Sequence, residues 1–346
     1  MSPTLPQSAT RTRAVYVLFA VLILALLVWL ARGRAGFDWR SLARQFAAVS
    51  WGRIVAAVAV IYSCYWLRAL RWAVLLAPML KAEDRKASAL ELLPAQVIGF
   101  SGVAIFGRVA DLARPYMIAR RTGTPVTMQL AIYSIERAFD LGAAATLFSA
   151  ALAFAPSSLP HHQAFARAGA VSLAATLLLA AVAVVIRVKG ERLAALTERL
   201  LHPIVPKLAD AAAARVLDLR DGFRAVSTFS EFAAAESLSL LMWLGIAACY
   251  LLTATAFRAT PQLVAFSFSA TMLLLATGIG GSVVQLPVLG WFTQVALLAA
   301  TLHALFAVPL ETATACAVLL VFVLNLSIVP AGIITAHVQG VGLKGL

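Results

Sequence analysis

The chain has 346 residues, of which 62% are hydrophobic and only 12% charged, and its mean hydropathy is +0.91. An ordinary soluble domain is roughly 45–50% apolar and about 25% charged, and a chain of this length cannot enclose so much apolar surface in water. The composition excludes a soluble globular enzyme and predicts an all-α polytopic membrane protein, with the bilayer as solvent for much of the chain.

The net charge of +13 is dispersed among hydrophobic segments, which points away from nucleic acid and toward a membrane lipid with an anionic head group as partner. Cys64, Cys249 and Cys316 each lie in an apolar stretch, far apart, so neither a disulfide framework nor a CxxC metal site is indicated. No cofactor or metal is expected.

In chain order, the first apolar segment runs from Ala14 to Ala31 between Arg11 with Arg13 and Arg32 with Arg34. It is longer than a signal-peptide core of roughly 7–15 residues and has no small-x-small site after it, so it reads as a retained span. An interfacial helix follows, with Leu42, Phe46 and Val49 on one face and Arg40 and Arg44 on the other. Further spans are expected at Ile54–Leu76, Leu130–Ala155, Ala168–Arg187, Glu236–Phe257, Trp291–Val308 and Thr312–Ala336, making seven with the first. Two more apolar stretches, Leu92–Phe106 and Val264–Leu289, are interrupted by Gly and Pro and predict short or re-entrant segments.

The chain reads as a single membrane domain over 1–346. A charged half (1–187) and an apolar half (236–346) flank a cytoplasmic amphipathic linker (188–235), in which Val216, Leu219, Phe223 and Val226 oppose Arg215, Asp218, Arg220 and Arg224. Residues 77–129 and 188–235 carry seven Lys and Arg each, which places them and the N-terminus in the cytoplasm. That orientation requires Leu92–Phe106 to enter and return on one side. Residues 1–231 hold 26 basic and 13 acidic side chains whereas the last 115 residues hold two of each, so a charged site must come mainly from the first half.

The densest region for chemistry lies between Leu92 and Leu141. Gly99, Gly102 and Gly107 punctuate its first part, and Arg108, Asp111 and Arg114 follow at every third position, a spacing that groups them on one side of a helix. Planar guanidiniums suit a phosphate or carboxylate better than point charges do. Arg120 and Arg121 read better as snorkelling, positive-inside residues. Glu136, Arg137 and Asp140 then fall inside a spanning segment, where ionisable groups are costly and rarely face lipid. Glu136 and Asp140 share a face, with Tyr133 one turn earlier, and are expected to face a cavity edged by Arg108 and Arg114. A purely structural ion-pair network is the competing reading.

The segments Leu67-Arg68-Ala69-Leu70-Arg71-Trp72, Gly107 to Tyr116 with Arg120 to Gly123, and Glu136-Arg137-Ala138-Phe139-Asp140 resemble the lysylphosphatidylglycerol synthase transmembrane-region family of flippase-like integral membrane proteins. Gly278 to Gly281, Gln285-Leu286-Pro287 and Gly290 extend the resemblance. Asp111 stands in the family's acidic place, and Gly290-Trp291-Phe292-Thr293-Gln294 replaces its second Gly-x-Arg-Glu loop. The resemblance implies a bacterial inner-membrane protein that handles lipid. Its synthases also carry a soluble aminoacyl-transferase domain; this chain ends ten residues past its last expected span, so lipid synthesis is not expected of it.

Gly278, Gly280, Gly281, Pro287 and Gly290 repeat the Gly/Pro design of the first half, and Pro125 and Pro309 each precede a final helix, a pattern that points to an internal repeat with a site at its interface. Gly99–Phe106 and Gly278–Pro287 are expected to line a common cavity. His303 is expected either to face it or to be a satisfied buried histidine. The leading expectation is a non-enzymatic lipid translocase or lipid-binding transporter with Arg108, Asp111, Arg114, Tyr116, Glu136, Arg137 and Asp140 at its substrate site. The alternatives are a membrane enzyme acting on a polyprenyl-phosphate lipid, or a scaffold that recruits a soluble or membrane lipid-pathway enzyme.

Overall fold

A computed structural model describes residues 38–81, 84–155, 157, 162–202, 228–281 and 289–340. The expected first span, the apolar face of Val216, Leu219, Phe223 and Val226, and Gln285 to Pro287 lie outside them.

Helix α1 (Trp39–Ala48) is capped by the Asp38 side chain, whose carboxyl the Ser41 and Arg40 backbone N–H groups hold below its usual value. Leu42 and Phe46 pack on the core and Val49 is buried, while Arg40 and Arg44 are exposed, as the interfacial reading expects. Helix α2 (Trp51–Lys81) then runs antiparallel to α7 (Phe229–Thr255), the Ser50 N–H bonding the Ala256 carbonyl at 3.0 Å. Small residues permit their close approach: Ala57, Ala247, Cys249 and Ala254 are buried, and Gly245 has the Cys64 sulfur where a Cβ would need to be.

Helix α3 (Ala89–Phe106) opens with a capping box between Ser88 and Glu91 and stays continuous through Pro94, rather than being broken there. Gly107, at φ 81°, turns the chain into a 3-10 segment (Arg108–Leu112) and α4 (Ala113–Thr122), with Pro115 tolerated in the first helical turn. The C-cap Gly123 is left-handed at φ 62°, and Arg85 donates to the Thr122 carbonyl beside it. The segment therefore leaves and returns at one end of the molecule.

Helix α5 (Val126–Ala153) starts from Pro125 and pairs with α6 (His162–Leu201), whose helical backbone is broken at Lys189 (φ −124°, ψ 23°), two residues past the expected boundary at 187. After the single-turn α8 (Pro261–Val264), α9 (Phe268–Gly281) and α10 (Leu289–Phe306) form a second hairpin. Its two outer ends meet again where Phe266 and Phe306 stack at 4.9 Å. Trp291–Val308 accordingly forms the second arm of this hairpin, packed antiparallel to α9. The chain closes with α11 (Leu310–Val321), a π-helical turn (Phe322–Leu326) and α12 (Ile328–Val338).

Among the described residues, Trp51–Lys81, Ala89–Phe106, Phe229–Thr255 and Leu310–Val338 are long and apolar enough to cross a membrane. The two halves are inverted copies of one plan, in which a long helix is followed by a hairpin and then by a helix that starts from proline. Pro125 and Pro309 adopt the same conformation, ψ 140° and 139°. Each hairpin rests on the long helix of its own half and on the closing helix of the other, α3 on α12 and α9 on α5. This crosswise seating locks the halves together and places the first hairpin's charges against α2 and α5.

Candidate functional site

Three helix positions fix the level of the site. Arg71 on α2, Gly99 on α3 and Glu136 on α5 each lie ten residues from a helix end on the same side of the molecule, a depth of about 15 Å at ~1.5 Å rise per residue.

Arg71 bridges two carboxylates of α5, with Nη2 2.7 Å from Glu136 Oε1 and Nη1 2.6 Å from Asp140 Oδ1. The Ser239 hydroxyl of α7 takes a further bond from Nη1 at 2.7 Å. Arg114 reaches the same cluster from α4: Nε donates to Asp111 Oδ1 at 2.8 Å, Nη1 to Gln96 Oε1 at 2.8 Å, and Nη2 lies 3.3 Å from Glu136 Oε2. The Tyr133 hydroxyl donates to Asp111 Oδ2 at 2.7 Å. Arg137 closes the outer edge, its Nη2 3.1 Å from Glu136 Oε2 and 3.0 Å from Asp140 Oδ2. Arg68 Nη1 stands 3.9 Å from Asp140 Oδ2.

Aromatic rings cover the guanidinium faces. Arg114 lies over Phe100 at 4.5 Å and over Trp72 and Tyr133 at 5.5 Å, and Arg68 over Phe100 at 4.6 Å. Such stacking stabilises weakly hydrated guanidinium in a way that it would not stabilise ammonium. Gly99 makes this possible, because a Cβ there would overlap the Arg114 stem.

Four guanidiniums, of Arg68, Arg71, Arg114 and Arg137, thus face three carboxylates, of Asp111, Glu136 and Asp140, with one positive charge in excess. Glu236, half-buried on α7, sits at the rim within electrostatic range of Arg71 and Asp140. Arg71, Arg114 and Glu136 are at most 1% exposed, whereas the Arg137 side chain is 38% exposed and forms the open edge. Arg71 Nε, Arg137 Nε and Gln96 Nε2 are buried donors without a hydrogen-bond partner among the described residues. Buried donors in that state are costly, and an anion entering at Arg137 can engage them.

Of the residues expected at the site, Asp111, Arg114, Glu136, Arg137 and Asp140 come together. Arg108 and Tyr116 are exposed instead. Arg108 stands at the tip of the hairpin, directly after the Gly107 turn, and is exposed there, whereas Arg114 belongs to the returning α4 and lies against Gly99 of α3. Arg68, Arg71, Gln96 and Ser239 are additions that the sequence reading passed over. Arg71 sits near the end of an expected span, where an arginine reads as snorkelling, but α2 continues ten residues further and buries it.

Gly102 packs against Ala110 across the first hairpin, while Gly278 and Gly281 admit Tyr250 and Gln294 in the second. Gln294 donates to the Gly278 carbonyl at 3.4 Å and accepts from Asn325 of the π-turn at 3.0 Å, a neutral counterpart to the charged cluster. Gly290 is buried at the start of the same arm, and Gly280 is exposed. The His303 ring Nδ1 lies 2.8 Å from the Val308 carbonyl, which gives that exposed side chain a local backbone partner.

The family description lysylphosphatidylglycerol synthase TM region matches residues 17–332, which takes in both hairpins and the whole charged cluster. The chain belongs to this family. No curated protein and no solved structure matches it. Membership gives the protein a membrane lipid-related role and makes it a multi-pass membrane protein, in accord with its apolar helices.

Proposed function

We propose that this member of the lysylphosphatidylglycerol synthase TM-region family is a translocase, not an enzyme, which moves an anionic, phosphate-bearing lipid between the leaflets of a bacterial inner membrane. One observation carries the reading: a buried cluster with more guanidiniums than carboxylates, holding unpartnered N–H donors and open at Arg137. A guanidinium fork matches two phosphate oxygens, and a lipid can present its head group laterally while its tails stay in the bilayer.

The turns at 84–88 and 123–125 and the end of α6 fall on the side nearest the cluster, and these connections belong to the basic stretches. Under the positive-inside rule that side is cytoplasmic, the expected span Ala14–Ala31 would return the N-terminus to it, and the cluster receives head groups from the inner leaflet. The inverted halves supply a way to expose it alternately, by rocking one hairpin and its supporting helix against the other.

The test is transbilayer movement in liposomes that contain fluorescent phosphatidylglycerol or phosphatidylcholine, with mass spectrometry of the recovered lipid. Unaltered phosphatidylglycerol reaching the opposite leaflet faster than phosphatidylcholine is the expected result. Equal movement of both lipids overturns the anion preference, and a chemically altered lipid assigns the site to an enzyme.

A further inference from the structure

A second cationic site lies at the base of the first hairpin. Leu80, Arg85, Lys86, Glu91, Arg121 and Thr122 line a cleft of about 270 Å³, with buried Leu80 on its apolar side. Its three cations come from two separate pieces of chain, the connection between α2 and α3 and the last turn of α4. Among the described residues that line it, the single carboxylate, Glu91, is engaged in the helix cap, accepting the Ser88 N–H at 2.9 Å.

Arginines that merely snorkel extend into water, whereas these are tied to the protein. Arg85 donates to the Thr122 carbonyl, and the left-handed Gly123 leaves it room, since a Cβ there would lie 3.4 Å from Arg85 Nη2. Arg121 Nη1 donates to Gln339 Oε1 at 2.8 Å, using one nitrogen of its fork and keeping others for a ligand. Lys86 is exposed and makes no ion pair among the described residues. The cleft is smaller than the roughly 300–1,000 Å³ of sites that enclose a whole drug-sized ligand. It suits a compact anion, and it stands at helix ends, where head-group phosphates lie.

We propose that this cleft binds a phosphate group between Lys86, Arg85 and Arg121, separately from the buried cluster. Helix α4 carries Arg114 near its start and Arg121 near its end, so a phosphate held in the cleft steadies the arm that presents Arg114. Thr122 extends the connection: its hydroxyl bonds Thr124 at 2.9 Å, Thr124 accepts from Gln129 at 2.9 Å, and Gln129 accepts the Trp72 indole N–H at 2.9 Å.

The experiment needs a readout confined to the cleft, and acetylation of the Lys86 amine, followed by peptide mass spectrometry, provides one. The full chain is held in phosphatidylcholine nanodiscs, with inorganic phosphate added in one arm and phosphatidylglycerol introduced into the disc in the other. Lys86 should be acetylated several-fold more slowly, and saturably, in at least one arm. Protection by phosphate alone names a soluble ligand; protection only by phosphatidylglycerol names a lipid head group. Lys81, exposed at the last position of α2 and outside the lining of the cleft, should keep its rate, and Arg121→Gln should abolish the protection of Lys86. Where that variant folds poorly, Gln339→Ala removes only the tether and should weaken protection. An unchanged Lys86 rate in both arms, equal protection of Lys81, or protection that survives both substitutions overturns the proposal. Because Lys86 lies outside the buried cluster, these outcomes do not depend on whether the protein translocates lipid.

Discussion

Arg114 occupies the space that a side chain at Gly99 would need, so that one glycine of α3 decides whether the guanidinium of α4 can reach Gln96, Asp111 and Glu136. Gly99→Ala should displace the Arg114 stem at a cost of about 1–3 kcal/mol, the usual penalty of overpacking a filled interior. Gly280→Ala is the matched control, because a Cβ there meets nothing within 4 Å. Thermal unfolding in detergent should fall for the first variant and hold for the second, with anionic-lipid binding following the same order. Equal behaviour of the two would show that Arg114 tolerates displacement.

The cluster's members differ in what their removal exposes. Arg71 is enclosed and bridges Glu136 and Asp140, so Arg71→Ala leaves two buried carboxylates short of a partner and should destabilise by roughly 3–5 kcal/mol. Arg137 is partly exposed, and its loss leaves Arg71 and Arg114 to hold the same carboxylates. Arg137→Lys should fold close to normally yet bind anionic lipid less well, because charge is kept and the planar fork is lost. Measuring yield and unfolding temperature beside lipid retention separates the two cases. Wild-type binding by Arg137→Lys would remove the fork from the mechanism.

Much of this arrangement was legible in the sequence. Ionisable residues inside an apolar run, Glu136, Arg137 and Asp140, had to be buried together, and the glycines around Leu92–Phe106 announced a return. What single-sequence periodicity could not supply was the partner on another helix: Arg71, Gln96 and Ser239 enter the cluster through packing of α2, α3 and α7 around α5. Arg108 misled for a local reason. The three-residue spacing groups it with Arg114, but Arg108 stands at the hairpin tip beside the Gly107 turn, whereas Arg114 lies in the returning α4, against α3.

The inverted hairpins predict a labelling pattern. The native Cys64, Cys249 and Cys316 are all buried, so added cysteines report with little background. Lys86→Cys, before the first hairpin, and Arg120→Cys, in the last turn of its returning helix, should react with a membrane-impermeant thiol reagent from the same face of an oriented vesicle. Arg258→Cys and Leu310→Cys, flanking the second hairpin, should react from the opposite face. Reaction of Lys86→Cys and Arg120→Cys from different faces would mean that α3 and α4 cross the bilayer instead of returning.

A lipid phosphate drawn to permanently charged guanidiniums must also be released, and the carboxylates of α5 are placed to compete for them. Glu136 touches Arg71, Arg114 and Arg137, and Asp140 touches Arg71 and Arg137, so binding and release become an exchange of anionic partners over the same forks. Removing the charge of either carboxylate frees an arginine for lipid. Glu136→Gln and Asp140→Asn imitate that state permanently, and each should retain or strengthen anionic-lipid binding while transfer between leaflets slows. Glu236, at the rim beside Arg71 and Asp140, makes no ion pair among the described residues, so Glu236→Gln serves as the comparison in which transfer should persist. Unfolding temperatures must be measured alongside, because an unpaired buried guanidinium can destabilise the chain by itself. If both α5 variants fold normally and transfer lipid at the wild-type rate across pH, these carboxylates only hold the helices together and the exchange mechanism fails.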